Sequence, residues 1–531
     1  MLITRLSTAL ILIISVTGCA QLGQTSLDSM EPMVPSGADS AIRGGLANGM
    51  AEPDPVSGQA SPQDMWQRLR AGFALDLDQD NDRIRAQRDW FARHPAYLDR
   101  VAKRGERYLH HIVEEAEKRN MPLELALLPV VESAFDPFAY SHGRAAGPWQ
   151  FIPSTGRMFG LKQDYWADQR RDILASTDAA LTYLQRLSER FDGDWLLALA
   201  SYNAGAGTVS RAITRNQRAG KPTDFWNLDL PSETSAYVPK LIAISQIVAD
   251  PSAHNLVLHP ISDEPYFDVV STGSQIDLAQ AADLAGIAIE ELYLLNPSYN
   301  QWATSPEGPH RLLVPKANAN QFRNALAALP TESRMQWNHY TIRSGDSLST
   351  IARRHGVTVD MIRDVNRLRG NTIIAGDSLL IPVPRADAAS YSMSEEQRLA
   401  SRQSTGVSGR QRVDLLVSPG DTLWDISRRY SVGVRELAKW NNMAPGDPLR
   451  VGQSLVVWTT NVAAVSTSSS LRPEMIRKVN YAVRKGDSLY GIANRFNVSV
   501  NQIASWNSID TNRYLRPGQR LTLYVDVRNA F

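Results

Sequence analysis

Three segments of this 531-residue chain repeat one pattern at one internal spacing, which commits its C-terminal half to a row of small, similar units. Gly345-Asp346-Ser347-Leu348, Gly420-Asp421-Thr422-Leu423 and Gly486-Asp487-Ser488-Leu489 are each followed by an asparagine 21 residues after the first glycine, at Asn366, Asn441 and Asn507. A second glycine, Gly376, Gly452 or Gly518, then precedes an apolar run such as Leu379-Leu380-Ile381. Self-similarity of this kind marks repeated supersecondary units. Tyr340-Thr341-Ile342, Leu415-Leu416-Val417 and Tyr481-Ala482-Val483 read as first strands, and the Ser or Thr after each Gly-Asp is placed to cap a helix. Each unit therefore reads as strand, two short helices, strand.

The pattern resembles the LysM module, which implies small α+β units that bind N-acetylglucosamine-containing glycans. We place them at residues 339–384, 412–458 and 479–526. Residues 385–411 and 459–475, rich in Ser, Ala, Thr and Arg, read as flexible linkers between beads. A decayed fourth copy is expected at 259–320, because Leu278 and Asn296 keep the separation of Leu348 and Asn366. There Gln275-Ile276-Asp277-Leu278 stands in place of the glycine turn, so the copy reads as a spacer. Asp346, Asp421 and Asp487 are expected to stabilise their turns, and Trp424, Trp440, Tyr490 and Trp506 either stack on sugars or pack inside.

The N-terminal half differs in kind. Apolar residues at Leu98, Val101, Tyr108, Ile112, Val113 and Ala116 recur at helical spacing through Asn120, and similar patterns continue to Ala249. Residues 61–258 are thus expected to form an all-helical domain. The pair His110-His111 lies on a charged stretch and reads as solvated. A net charge of +1 gives the whole chain no field to gather nucleic acid. From His339 onward, however, 26 Lys and Arg face 16 Asp and Glu, which suits either an anionic polymer or a solvated surface.

The single cysteine, Cys19, excludes an intramolecular disulfide and a multi-cysteine metal site. It follows Arg5, the apolar run Leu10 to Ile14, and the small residues before Cys19, as in a secretory signal. Val16-Thr17-Gly18-Cys19 resembles a bacterial lipobox. That implies removal of residues 1–18, lipidation of Cys19 and anchorage at the periplasmic face of the outer membrane, while the segment 19–60, rich in Ser, Gly, Pro, Gln and Met without periodicity, reads as a flexible tether.

No Gly-x-Ser-x-Gly elbow, P-loop or His-Glu-x-x-His is present, and no metal or organic cofactor is implied. Glu132 stands out because it ends an apolar run from Leu123 in a helix that Pro137 prevents from continuing. A poorly solvated carboxyl there suits a general acid, while a helix-end cap or ion pair is the plainer alternative. Asp136 is the nearest candidate partner, although Pro137 disfavours the helical geometry that would pair them.

Four motifs then occur in order: Glu132-Ser133-Ala134-Phe135-Asp136-Pro137, Gly147-Pro148-Trp149-Gln150, Ser201-Tyr202-Asn203-Ala204-Gly205, and Glu233-Thr234-Ser235-Ala236-Tyr237-Val238-Pro239-Lys240. They resemble family 1 lytic transglycosylases, with a lysozyme-like fold. The resemblance implies that Glu132 is the sole catalytic acid and base, cleaving between N-acetylmuramic acid and N-acetylglucosamine to leave a 1,6-anhydromuramoyl end. It gives Ser133, Gln150, Tyr202, Asn203 and Tyr237 to the substrate cleft, with the Tyr202 hydroxyl donating a hydrogen bond at or beside the acid to hold it in place and Glu233 orienting its helix. Trp149, Phe151 and Trp166 either stack on sugars or belong to the core. A hydrolytic muramidase and a wall-binding protein without activity are the competing readings.

Overall fold

The structure, a computed structural model, describes residues 64–526 except 356, 461–475 and scattered positions between 485 and 517. The signal segment, Cys19 and the tether lie outside the described residues. Among those described, no helix is long and apolar enough to cross a membrane.

The helical half is organised around Ser232–Ala249, in which Val238, Leu241, Ile242, Ala243, Ile244, Ile247 and Val248 are all buried. A helix apolar on nearly every side must sit inside, and here Asp82–Arg93, Leu128–Glu132 and Trp195–Ala204 pack around it. The stretch expected to run as one helix from Leu98 to Asn120 is instead two, Pro95–Gly105 and Leu109–Glu117. At the break, the Arg107 guanidinium pairs with Glu291 at 2.7 Å and the Tyr108 hydroxyl donates to the Leu294 carbonyl at 2.7 Å. Tertiary anchors there override the local periodicity. His110, expected in solvent, is buried against Arg68 and Asp263, and burial pushes its pKa down.

Four two-stranded antiparallel sheets follow among the described residues: Phe267–Ser271 with Arg311–Pro315, Gln336–Thr341 with Ser378–Val383, Gln411–Leu416 with Ser454–Thr459, and Ile476–Ala482 with Arg520–Asp526. The last three begin slightly ahead of the boundaries set from sequence. Each pair of strands encloses two short helices, and the repeated asparagine explains its constant offset. Asn441 donates from Nδ2 to the carbonyls of Leu437 and Val456, both at 2.8 Å, while its Oδ1 accepts from the Val456 amide at 2.7 Å. One side chain thus closes the end of the second helix and fixes the returning strand. Asn366 and Asn507 make the same three bonds with Ile362 and Leu380, and with Ile503 and Thr522. Asn296 repeats them with Leu292 and Leu313. The aspartates close the turns as expected: Asp346 accepts from the Arg343 amide, Asp421 from Ser418 and Asp487 from Arg484.

The decayed copy is more than a spacer. Its helix Lys316–Ala328 crosses the expected end at 320 and buries Ala319, Phe322 and Leu326. Arg311 pairs with Asp172 at 2.9 Å, and the Asn300 amide donates to the Trp166 carbonyl at 2.8 Å, joining the copy to the helical half.

The linker at 385–411 also departs from expectation, since it contains the helix Glu395–Ser404 and is docked. Asp277 caps the helix Leu278–Ala285 through Oδ1, while its Oδ2 accepts from the Arg385 amide at 3.0 Å and the buried Tyr391 hydroxyl at 2.8 Å. The Glu395 amide donates to the Asn300 carbonyl at 2.7 Å, and Arg398 lies 4.3 Å from the Phe138 ring centroid. Composition alone hid this because the apolar anchors, Tyr391 and Met393, are sparse and only one turn of them is needed.

Asn441→Ala leaves three buried backbone groups unpaired, at about 1 kcal/mol each. Hydrogen exchange at the Val456 amide is expected to speed by about a hundred-fold, while the other modules keep their protection.

Candidate active site

Glu132 sits at the last position of Leu128–Glu132, and the chain then leaves the helix through a tight reversal. Ala134 and Phe135 both adopt left-handed φ values, 52° and 54°, which side-chain-bearing residues rarely hold. The Ser133 and Phe135 amides both donate to the Pro129 carbonyl, and the Phe135 ring presses on Gly105, where an added Cβ would approach it to 3.1 Å. This turn stops the helix at Glu132 and leaves its carboxyl facing the Ser232–Ala249 helix.

The Tyr237 hydroxyl on that helix donates to Glu132 Oε1. Burial pushes the Glu132 carboxyl up to about 7, against the opposing effect of that hydrogen bond; Glu233 adds to the rise and Lys240 reduces it. Glu233, Tyr237 and Lys240 are spaced by four and three residues along one helix, which brings all three to the Glu132 side. Burial in turn pushes the Lys240 ammonium down. Lys240 stands in the fourth motif but drew no role from sequence; its helical spacing from Tyr237 was the available signal.

The Tyr202 hydroxyl does not donate to Glu132, although it lies near enough for the carboxyl to act on it. Its hydroxyl donates to the Trp149 carbonyl at 2.8 Å, and its ring packs beside Tyr183 and Phe151. The tyrosine that bonds Glu132 is Tyr237, because the central helix, and not Trp195–Ala204, presents a hydroxyl to it. Tyr202 instead fixes the wall that runs from Ala139 to Phe151. Ser133 braces the same wall, its hydroxyl donating to Pro148 at 2.9 Å. Gln150, at φ 48°, donates from Nε2 to the Gly147 carbonyl at 2.8 Å. Asn203 accepts from the Thr234 hydroxyl at 2.7 Å, tying its helix to the central one. Trp149 and Phe151 are buried in the helical core behind the wall, and Trp166 is buried elsewhere, against Trp302 of the decayed copy.

Asp136 does not pair with Glu132. Its Oδ1 accepts from the Phe138 amide at 2.9 Å, an Asx turn that follows from Pro137. Glu124, also buried, is fully used in another way: its carboxylate accepts from the amides of Ala74 and Leu75 at 2.7–3.1 Å. Among the described residues, Glu132 is the carboxyl that combines a titration point near neutrality with partial access to solvent. Such a carboxyl can give up a proton and then take one back at neutral pH.

The chain matches the Transglycosylase SLT domain family over residues 111–225, the Lytic transglycosylase MltD, LysM-like domain over 266–331, and the LysM domain over 340–382, 416–458 and 481–523. It is 40% identical over 404 residues to membrane-bound lytic murein transglycosylase D of Escherichia coli (strain K12), covering 73% of this chain and 85% of that protein. An autolysin of Enterococcus faecalis (strain ATCC 700802 / V583) is 31% identical over 176 residues, 32% of this chain and 22% of that protein. Among solved structures, an inactive variant of the lytic transglycosylase Slt from Pseudomonas aeruginosa is 24% identical over 28% of this chain and 25% of its own, with a TM-score of 0.21.

A carboxyl raised in the folded state from 4.5 to about 7 binds its proton more tightly there than in the unfolded chain. Its contribution to stability is present below pH 4.5 and is lost as pH rises through 7. Glu132→Gln does not titrate, so its stability relative to wild type should grow by about 2 kcal/mol between pH 4.5 and pH 8, allowing for partial solvent access. Denaturant unfolding at the two pH values checks this; an unchanged difference contradicts the burial argument.

Proposed function

We propose a role for each site residue on one premise: the chain belongs to the family of membrane-bound lytic murein transglycosylase D, and is a peptidoglycan lytic transglycosylase carrying LysM repeats. Glu132 protonates the glycosidic oxygen between N-acetylmuramic acid and N-acetylglucosamine. As that C1–O bond breaks, the N-acetylglucosamine leaves with its 4-hydroxyl restored. The resulting carboxylate takes the proton from the muramoyl 6-hydroxyl, whose oxygen bonds to C1 and closes a 1,6-anhydro ring. No water is consumed, and Glu132 ends protonated for the next turnover.

The observation that carries this reading is the buried Glu132 carboxyl, near neutral in titration and hydrogen-bonded to the Tyr237 hydroxyl, with Glu233 acting on it only electrostatically. A two-carboxylate glycosidase needs a partner about 5–9.5 Å away to act as nucleophile or to activate water. Asp136, the candidate for that place, is engaged by the Phe138 amide, and Glu233, which raises Glu132 from the central helix, is itself exposed to solvent. Tyr237 holds the acid through its change of charge. Ser133, Gln150, Tyr202 and Asn203 shape the cleft by fixing its wall and the adjoining helix, with Gln150 available to sugar.

The same reading assigns residues 1–18 to a signal peptide, Cys19 to lipidation and residues 19–60 to a tether. The helical unit would then work at the periplasmic face of the outer membrane while the LysM modules hold GlcNAc-containing strands. Three weakly binding modules raise the local concentration of strand at the cleft without any single tight contact.

Mass spectrometry of purified peptidoglycan after incubation with the chain and with Glu132→Gln tests the reaction. Anhydromuropeptides from the first alone are expected. Products one water heavier would mean hydrolysis, and wall turnover by Glu132→Gln equal to wild type would remove the acid from the mechanism.

Tyr237→Phe removes a hydrogen bond that favours the charged form, so the Glu132 pKa should rise further. The alkaline limb of the pH–rate profile should move to higher pH while the maximum rate falls about ten-fold. A lowered rate with an unmoved limb would give Tyr237 a purely structural place.

A further inference from the structure

The second LysM module, residues Gln411–Thr459, touches the hairpin that extends the wall beside Glu132. The wall that Ser133 and Tyr202 brace continues outward as a small hairpin, closed where Tyr140 pairs with Ala146. At its tip Arg144, itself in a left-handed conformation, donates to the Gly446 carbonyl and forms an ion pair with Asp447. Gly446 and Asp447 belong to the loop between the module's second helix, Val434–Trp440, and its last strand. Asp447 also accepts from the Ala444 amide at 2.7 Å, so the loop is held in shape as it meets the hairpin.

A second attachment reaches the module from the linker. Gln403, at the end of the docked helix Glu395–Ser404, donates to Asn441 Oδ1 at 2.9 Å. Asn441 is the side chain that fastens the module's helix to its strand, so the linker grips the module at its structural centre. Between these contacts the linker passes beside Phe138 and Asp136, a few residues beyond Glu132.

The module also carries an exposed indole. Trp424, in the turn-following helix Leu423–Arg429, is 55% accessible, with the Arg428 guanidinium 4.6 Å from its ring centroid. An aromatic plane left in water, backed by a guanidinium, is a stacking surface for a sugar ring.

We propose that the second LysM module is an added subsite of the catalytic cleft, binding the same N-acetylglucosamine-containing strand that Glu132 cleaves, and that Arg144 sets this arrangement. It acts as a specificity device for strand length: a short glycan fills the cleft alone, and a long one is gripped by cleft and module together. This rests on the reading of Glu132 as the acid. The test is made on binding, so that it succeeds or fails apart from the chemistry.

In a full chain carrying Glu132→Gln, affinity is measured for peptide-free glycan strands of roughly four and roughly twenty sugars. Adding Arg144→Glu should weaken binding of the long strands about five-fold and leave the short ones unchanged. Gln403→Ala, which cuts the other attachment, should produce the same length-dependent loss. Equal effects on both lengths, or none, would reduce the module to an independent tether. Tighter binding by Arg144→Glu would mean that the seated module obstructs the cleft. Either result overturns the proposal.

Discussion

Keeping one carboxyl close to neutral at physiological pH requires that it be taken out of water without a cation to pair it, and the helical half is arranged to meet that requirement. The reversal at Ala134 and Phe135 ends the helix at Glu132, the buried Trp149 and Phe151 back the opposite wall, and Ser133 and Tyr202 hold that wall by its carbonyls. The central helix places a hydroxyl in contact with it, while the charges of Glu233 and Lys240 act on it in opposite senses. A guanidinium at the Tyr237 position would pull the carboxyl down, as Arg119 and Lys118 pull Glu115 to about 2 despite its burial. A lone hydrogen bond offsets only part of the desolvation, which leaves Glu132 able to carry a proton. Glu124 shows the alternative fate of a buried carboxyl, in which backbone amides take up its oxygens and leave nothing for a substrate.

The modules solve their own problem with a different side chain. Two strands and two short helices make too small a core to hold themselves by burial alone. The repeated asparagine answers this by closing a helix end and both polar groups of one strand residue at once. Its neutral amide carries donors and an acceptor together, matching the C=O and N–H that a β-strand residue presents, on a stem one methylene shorter than glutamine's. This is why Asn296 survives in the copy that lost its turn glycine: the glycine belongs to the turn, and the asparagine to the fold.

Much of this was legible from the sequence where a rule is local. The 21-residue offset reflects a fixed path from turn to clamp, and Glu132 was singled out by an apolar run ending at a proline-terminated helix. What escaped were relations between elements distant in the chain. Tyr202 and Tyr237 are equivalent by residue type, and only the approach of the central helix decides which hydroxyl reaches the acid. The break at Arg107 depends on Glu291 and Leu294, well over a hundred residues away. The linker read as flexible because its own residues bury little; it is ordered by acceptors that wait elsewhere, on Asp277 and Asn300.

Asp277 stands at the position where the other modules carry their capping Ser or Thr, and it has two oxygens where they have one. The first caps a helix, and the second receives the backbone and tyrosine of a passing segment of the same chain. A unit that elsewhere would meet sugar has become a socket for peptide. Socket and plug therefore form a matched pair, and any chimera built by exchanging these repeats must transfer residues 385–391 together with the copy that receives them.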